Sequence, residues 1–113
     1  MSDQLTGKVC TPCQGGIAPL SAAQTEALRP QIPKWDITDN ATWVRRSFTF
    51  GDFVQALAFV NKVGTLAEAE GHHPDIAMGW GYADISLQTH KIKGLHENDF
   101  ILAAKIDALN NDS

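Results

Sequence analysis

Long apolar stretches are missing from this chain of 113 residues: the longest unbroken run is Ala56–Val60, far short of the roughly 20 residues needed to span a bilayer. No charged stretch followed by an apolar one opens the sequence, so no leader is expected, and the cytoplasm is the expected location. Positive charge is also scarce. With 9 Lys plus Arg against 13 Asp plus Glu, the net charge is -4, the wrong sign for a surface that neutralises phosphates. A nucleic-acid partner is not expected. Cysteine is limited to Cys10 and Cys13 in a Cys-Thr-Pro-Cys pair. A redox pair of the thioredoxin type would follow a strand and open a helix, whereas this one lies among Gly7, Pro12, Gly15 and Gly16. A structural zinc site would need two further ligands, and a second cysteine pair does not exist. Thiols without special chemistry are the favoured reading, with redox, zinc and local disulfide roles left open.

What is present suffices for one self-supporting domain, since 43% of the residues are hydrophobic and 19% charged, near the norm for a globular chain. Residues 1–20 lack periodicity and read as a flexible arm; residues 21–113 read as the single domain. Ser21 with Gln24 makes a capping box for a short helix ending near Arg29, which Pro30 and Pro33 terminate. Trp35–Ile37 and Thr42–Phe50 favour strands around an Asp39–Asn40 turn, with Val44, Arg46, Phe48 and Phe50 on one face. Asp52 then opens a long helix whose apolar stripe reads Phe53, Ala56, Leu57, Val60, Val63 and Ala67, stopped by Gly71 and Pro74. Ile76–Trp80 and Ala83–His90 form a second hairpin, with His90 closing the last strand on its polar face. A final helix covers about Asn98–Leu109, with Phe100, Ile101, Ala104 and Leu109 as its apolar stripe. The fold class is α+β in the order α-ββ-α-ββ-α: a four-stranded antiparallel sheet with helices packed on one face.

The chain has four histidines. His72 and His73 sit at a helix exit and His90 at a strand end, places that one sheet rim can bring together. Imidazoles titrate near neutrality and suit acid–base work, and Glu68, Asp84 or Asp99 could orient them. Blander roles compete: His72 and His73 can satisfy helix-end carbonyls, His90 can be a solvated strand residue, and Trp80 reads as core on residue type. His96 reads as the N-cap of the last helix, with Asp99 reaching back in a capping box. A metal held by His72, His73 and His90 is disfavoured, because adjacent residues seldom aim at one ion and no fourth ligand is evident.

The spacing Glu68, three residues, His72-His73-Pro74, five residues, Trp80, nine residues, His90, eight residues, Asp99 resembles the signature of the pterin-4a-carbinolamine dehydratases. Phe50-Gly51-Asp52-Phe53, Ala56-Leu57-Ala58-Phe59, Thr89-His90 and Gly94-Leu95 through Asp99-Phe100 are similar to the family's bacterial branch. The likeness runs from about Ser21 to Leu109. The resemblance implies loss of water from a 4a-hydroxytetrahydropterin, giving a quinonoid dihydropterin during pterin recycling beside aromatic amino acid hydroxylases. It implies that His72, His73 and His90 surround the pterin, with His72 and His90 as proton donors to the leaving hydroxyl and His73 as substrate contact or proton acceptor. Glu68, Pro74, Trp80 and Asp99 would bind substrate or support the histidines. Neither a redox cofactor nor a metal is implied. The family resemblance also implies a homotetramer, or a homodimer, and it leaves a second function open: a non-catalytic dimerisation cofactor or assembly helper on the same scaffold. Animal members bind a homeodomain transcription factor.

Overall fold

The computed structural model describes residues 5–8, 10 and 18–111; Cys13 therefore lies outside the described residues. The chain forms α1 (Ala22–Leu28), β1 (Asp36–Thr38), β2 (Trp43–Thr49), α2 (Phe53–Glu70), β3 (Asp75–Gly79), β4 (Tyr82–Leu87) and α3 (Glu97–Asn111). The sheet is antiparallel throughout, in the order β1-β2-β4-β3. This is the α+β architecture expected from the sequence. Among the described residues no helix is long and apolar enough to cross a membrane.

Local chemistry sets the element ends. The Ser21–Gln24 capping box is present in both directions, at 2.8 and 3.2 Å. Asp52 caps α2 by accepting the Gln55 N–H at 2.9 Å, which satisfies one of the four donors that a helix start leaves open. Gly71 ends α2 with φ of 68°, a left-handed conformation that a β-carbon would disfavour. The chain then leaves through His72 and His73 to Pro74, which holds the residue before it extended.

Strict alternation delivers one sheet face to the helices: Val44 and Phe48 of β2, and Ala83, Ile85 and Leu87 of β4, are buried against Val63, Phe100, Leu102 and Ile106. α3 is apolar around most of its circumference, and Phe100–Ala104 is an unbroken buried run, so α3 is the central helix rather than a half-exposed one. Its last turns are tied to the sheet through Asp107, which accepts from the buried Trp35 indole N–H at 2.8 Å and pairs with Arg46.

Three expectations are corrected. The buried stripe of α2 is Ala56, Phe59, Val63 and Ala67, while Phe53 and Leu57 are 44% and 41% exposed. Both stripes satisfy helical spacing; the Phe59 ring decides between them by stacking on Phe48 and Phe50, with centroids 4.6 and 5.2 Å away. Trp80, read as core, is 71% exposed. It occupies, with Gly81 at φ of 81°, the two-residue turn of the β3–β4 hairpin, where Gly79 pairs with Tyr82. Finally, β4 stops at Leu87 and His90 does not close a strand. Thr89 bridges to Gly94, and His90–Ile92 form a 3-10 turn that ends on Lys93 in the left-handed region.

The segment read as a flexible arm is docked where it is described. Leu5 is 1% exposed within the core, and its N–H donates to Gln31 Oε1 at 2.9 Å.

Candidate active site

The end of α2, the 3-10 turn after β4 and the start of α3 meet at one buried carboxylate. Asp99 has no solvent exposure, and both of its oxygens are used. Oδ1 lies 2.6 Å from His72 Nε2, while Oδ2 accepts the Thr89 hydroxyl at 2.8 Å and the His96 N–H at 3.0 Å. A carboxylate only accepts, so Nε2 of His72 carries the hydrogen and Nδ1 is the ring's remaining acceptor when the imidazole is neutral. A buried charge is tolerated when it is paired and fully hydrogen-bonded. The same bonds join Thr89, which directly precedes His90, to the loop that carries His72.

His73 repeats the arrangement in the open. Its Nε2 lies 2.5 Å from Glu68 Oε2, with the two side chains 58% and 78% exposed. Solvent screening makes such a pair worth little to stability, but it fixes which ring nitrogen is left over. His90 is exposed, and its ring meets Trp43 edge to face at a centroid distance of 5.7 Å. Arg45 lies over the same indole at 4.6 Å and is held by Thr38, Ser86 and Asp39. His72 is thus a mostly covered ring on a buried acid, whereas His73 and His90 are open to solvent.

Of the residues singled out from the sequence, Glu68, His72, His73, Pro74 and Asp99 come together around the α2 exit, and His90 is tied to them through Thr89. Trp80 is apart, in the turn of the β3–β4 hairpin, and is bonded to none of these residues. His96 has the capping role expected of it: its Nδ1 accepts the Asn98 N–H at 3.0 Å, and Asp99 reaches back to its N–H. Thr89, Trp43 and Glu70 were not anticipated. Thr89 could have been read from the inward phase of Ala83, Ile85, Leu87 and Thr89. Nothing local signals Trp43 or Glu70. Among the described residues, no group of three or more His, Cys, Asp or Glu side chains is placed to hold a metal ion.

The family model described as pterin 4 alpha carbinolamine dehydratase matches residues 18–109. The chain belongs to the pterin-4a-carbinolamine dehydratase family. A protein of Methylococcus capsulatus, named provisionally as a pterin-4-alpha-carbinolamine dehydratase, is 60% identical over 93% of this chain and 92% of its own length. One from Halorhodospira halophila, named in the same way, is 57% identical over 93% and 96%. Among solved structures, a transcriptional coactivator/pterin dehydratase from Brucella melitensis superposes with a TM-score of 0.75 at 28% identity, covering 80% of this chain and 97% of that one. A pterin dehydratase-like protein described as a RuBisCO assembly factor in the alpha-carboxysome gives 0.61 at 30% identity, covering 71% and 93%. Members of this dehydratase family thus carry names of both catalytic and non-catalytic kinds.

Proposed function

We propose that this protein dehydrates a 4a-hydroxytetrahydropterin. The C4a–oxygen bond breaks, the hydroxyl leaves as water after taking a proton, the N5 hydrogen is lost, and a C4a–N5 double bond forms. Hydroxide is a poor leaving group and needs a donor in the transition state, while N5–H needs an acceptor. The observation that carries the reading is the pair of histidine–carboxylate units, His72 on Asp99 and His73 on Glu68, each with one ring nitrogen engaged and one left over. Covered His72 is assigned to orient the reacting end and relay a proton, and exposed His73 and His90 to contact the pterin and exchange protons with it. The residues supply donor and acceptor without any cofactor.

The product class fits recycling of the pterin used by aromatic amino acid hydroxylases in the cytoplasm. The active form is assigned as a homotetramer or homodimer. β3 is an edge strand, and Phe53, Val54 and Leu57 of α2 with Ile76 of β3 are large exposed apolar side chains of the kind a second copy covers. Trp80 joins the substrate-facing set only through such assembly. The alternative, a non-catalytic dimerisation or assembly factor, draws on the 30% identity to the RuBisCO assembly factor. It gives no chemical reason for carboxylates to be engaged on two adjacent histidines.

The deciding experiment follows decay of a freshly generated 4a-hydroxytetrahydropterin with and without the purified protein. Acceleration that persists in chelator supports the reading; decay at the buffer rate assigns the protein to the assembly alternative.

A further inference from the structure

The described residues of the N-terminal segment lie ahead of the family-matched region, which begins at residue 18, yet they brace both sides of the His72–Asp99 bond. Leu5 anchors the segment in the core. Lys8 Nζ pairs with Glu97 Oε2 at 2.6 Å. The Cys10 N–H donates to Glu70 Oε1 at 2.8 Å, and Cys10 Sγ donates to the Asn98 carbonyl oxygen at 3.6 Å. Glu70 Oε2 accepts from Lys105 Nζ of α3 at 2.8 Å, with the two side chains only 17% (Lys105) and 11% (Glu70) exposed. Glu70 is the last residue of α2, just ahead of Gly71 and His72, and Asn98 immediately precedes Asp99. One carboxylate therefore joins the end of α2 to α3 and to the N-terminal segment.

We propose that Glu70 is a positioning residue for His72, and that Leu5, Lys8 and Cys10 form a clamp which, through Glu70 and Asn98, sets the alignment of the His72 ring on Asp99. The consequence for dehydration rests on the function proposed above; the alignment itself does not. The half-exposed Lys8–Glu97 pair contributes little, so the anchor is the burial of Leu5 and the lock is the Cys10–Glu70–Lys105 set. Burial first, and then the negative charge of Glu70, push the Cys10 thiol up to about 12. Cys10 therefore remains a neutral thiol and acts through its N–H and its packing rather than through thiolate chemistry. A displacement of about 1 Å at a reacting group can cost up to about 100-fold in rate, so a loosened helix end has a kinetic signature.

The test uses full-length Glu70→Ala, Glu70→Gln, Leu5→Ala and the Leu5→Ala/Glu70→Ala double variant. Leu109→Ala, at the opposite end of α3, controls for general loosening. Imidazole nitrogen–hydrogen NMR correlations report His72 directly, circular dichroism confirms folding, and steady-state dehydration gives kcat and KM. The clamp predicts that the His72 ring signals move in Glu70→Ala and Leu5→Ala but not in Leu109→Ala. It further predicts a kcat fall of about tenfold with KM within about twofold, no further fall in the double variant, and partial rescue by Glu70→Gln, which keeps an acceptor for Cys10. Unchanged His72 signals in folded Glu70→Ala and Leu5→Ala overturn it, as do independent, additive effects of the two changes. If the parent protein does not dehydrate the pterin yet the His72 signals move, the dehydratase reading fails and the clamp stands.

Discussion

Replacing Asp99 by asparagine separates holding a histidine from holding the fold. Asp99 accepts three hydrogen bonds, from His72, Thr89 and the His96 N–H. Asparagine retains one carbonyl oxygen, which can keep the Thr89 and His96 contacts, and turns its NH2 towards His72. That amide donates, so His72 Nε2 must accept, and the ring's hydrogen moves to Nδ1. The structural loss is then the negative charge of the acceptor, three charge-assisted bonds becoming neutral ones at about 0.5–1 kcal/mol each, about 1.5–3 kcal/mol in all. For a domain of this size that lowers Tm by roughly 6–24 °C, at about 4–8 °C per kcal/mol for the smaller domains. The chemical loss is larger, because the tautomer is reversed at the ring proposed to relay a proton, and a rate decrease of ~100-fold or more is expected. Asp99→Ala should cost more stability, about 3–5 kcal/mol, by stranding two buried donors along with His72. Urea unfolding at the assay temperature gives the first quantity, and stopped-flow absorbance of the carbinolamine gives the second. An Asp99→Asn protein that is measurably destabilised but turns over at the parent rate would refute the reasoning, leaving Asp99 as a helix cap alone.

Three further outcomes are expected. In a Cys13→Ser background, Cys10 should react with a disulfide reagent at neutral to mildly alkaline pH far more slowly when folded than in urea, because raising the thiol from 9.0 to about 12 cuts the thiolate fraction about 1000-fold; equal rates would contradict the burial. The Glu70 carboxyl is held below its ordinary 4.5, first by the Cys10 N–H and then by Lys105. The folded state therefore binds fewer protons there than the unfolded one, and the stabilisation is complete above about pH 4.5 and lost as pH falls through the folded value. Denaturant titrations from about pH 5 towards pH 3 should show a steeper loss for the parent than for Glu70→Gln, and parallel curves would count against the lock. Light scattering at micromolar concentration should give more than one subunit per particle, and Leu57→Glu should reduce that number; a monomeric parent would remove the assembly proposal.

Much of the architecture is written in local pattern. The Ser21–Gln24 box, the inward phase of Ala83, Ile85 and Leu87, and the His96–Asp99 cap are all short-range signals, and each appears in the structure. Of the three carboxylates read as able to orient a histidine, Glu68 and Asp99 each pair with one, whereas Asp84 of β4 does not. What local pattern could not decide depends on partners distant in sequence. Two stripes of α2 have equal helical merit until Phe48 and Phe50 select Phe59. Leu5 is one apolar residue in a polar stretch, with no period to announce it, and Cys10 finds Glu70 across 60 positions. His90 looked like the end of a strand because residues 83–89 alternate cleanly. The Thr89–Gly94 bridge and the left-handed Lys93 instead turn the chain, which exposes the ring beside Trp43.

The central claim is that the histidines around the α2 exit perform the dehydration, and turnover of His73→Ala and His90→Ala set against His96→Ala tests it most directly. All three must first be shown to be folded by circular dichroism and melting. The account predicts ~100-fold or greater loss for the first two and near-parent turnover for His96→Ala, whose effect is confined to a helix cap of about 1 kcal/mol. Parent-level turnover by both His73→Ala and His90→Ala, with His96→Ala inactive, would contradict it and move the site to the start of α3.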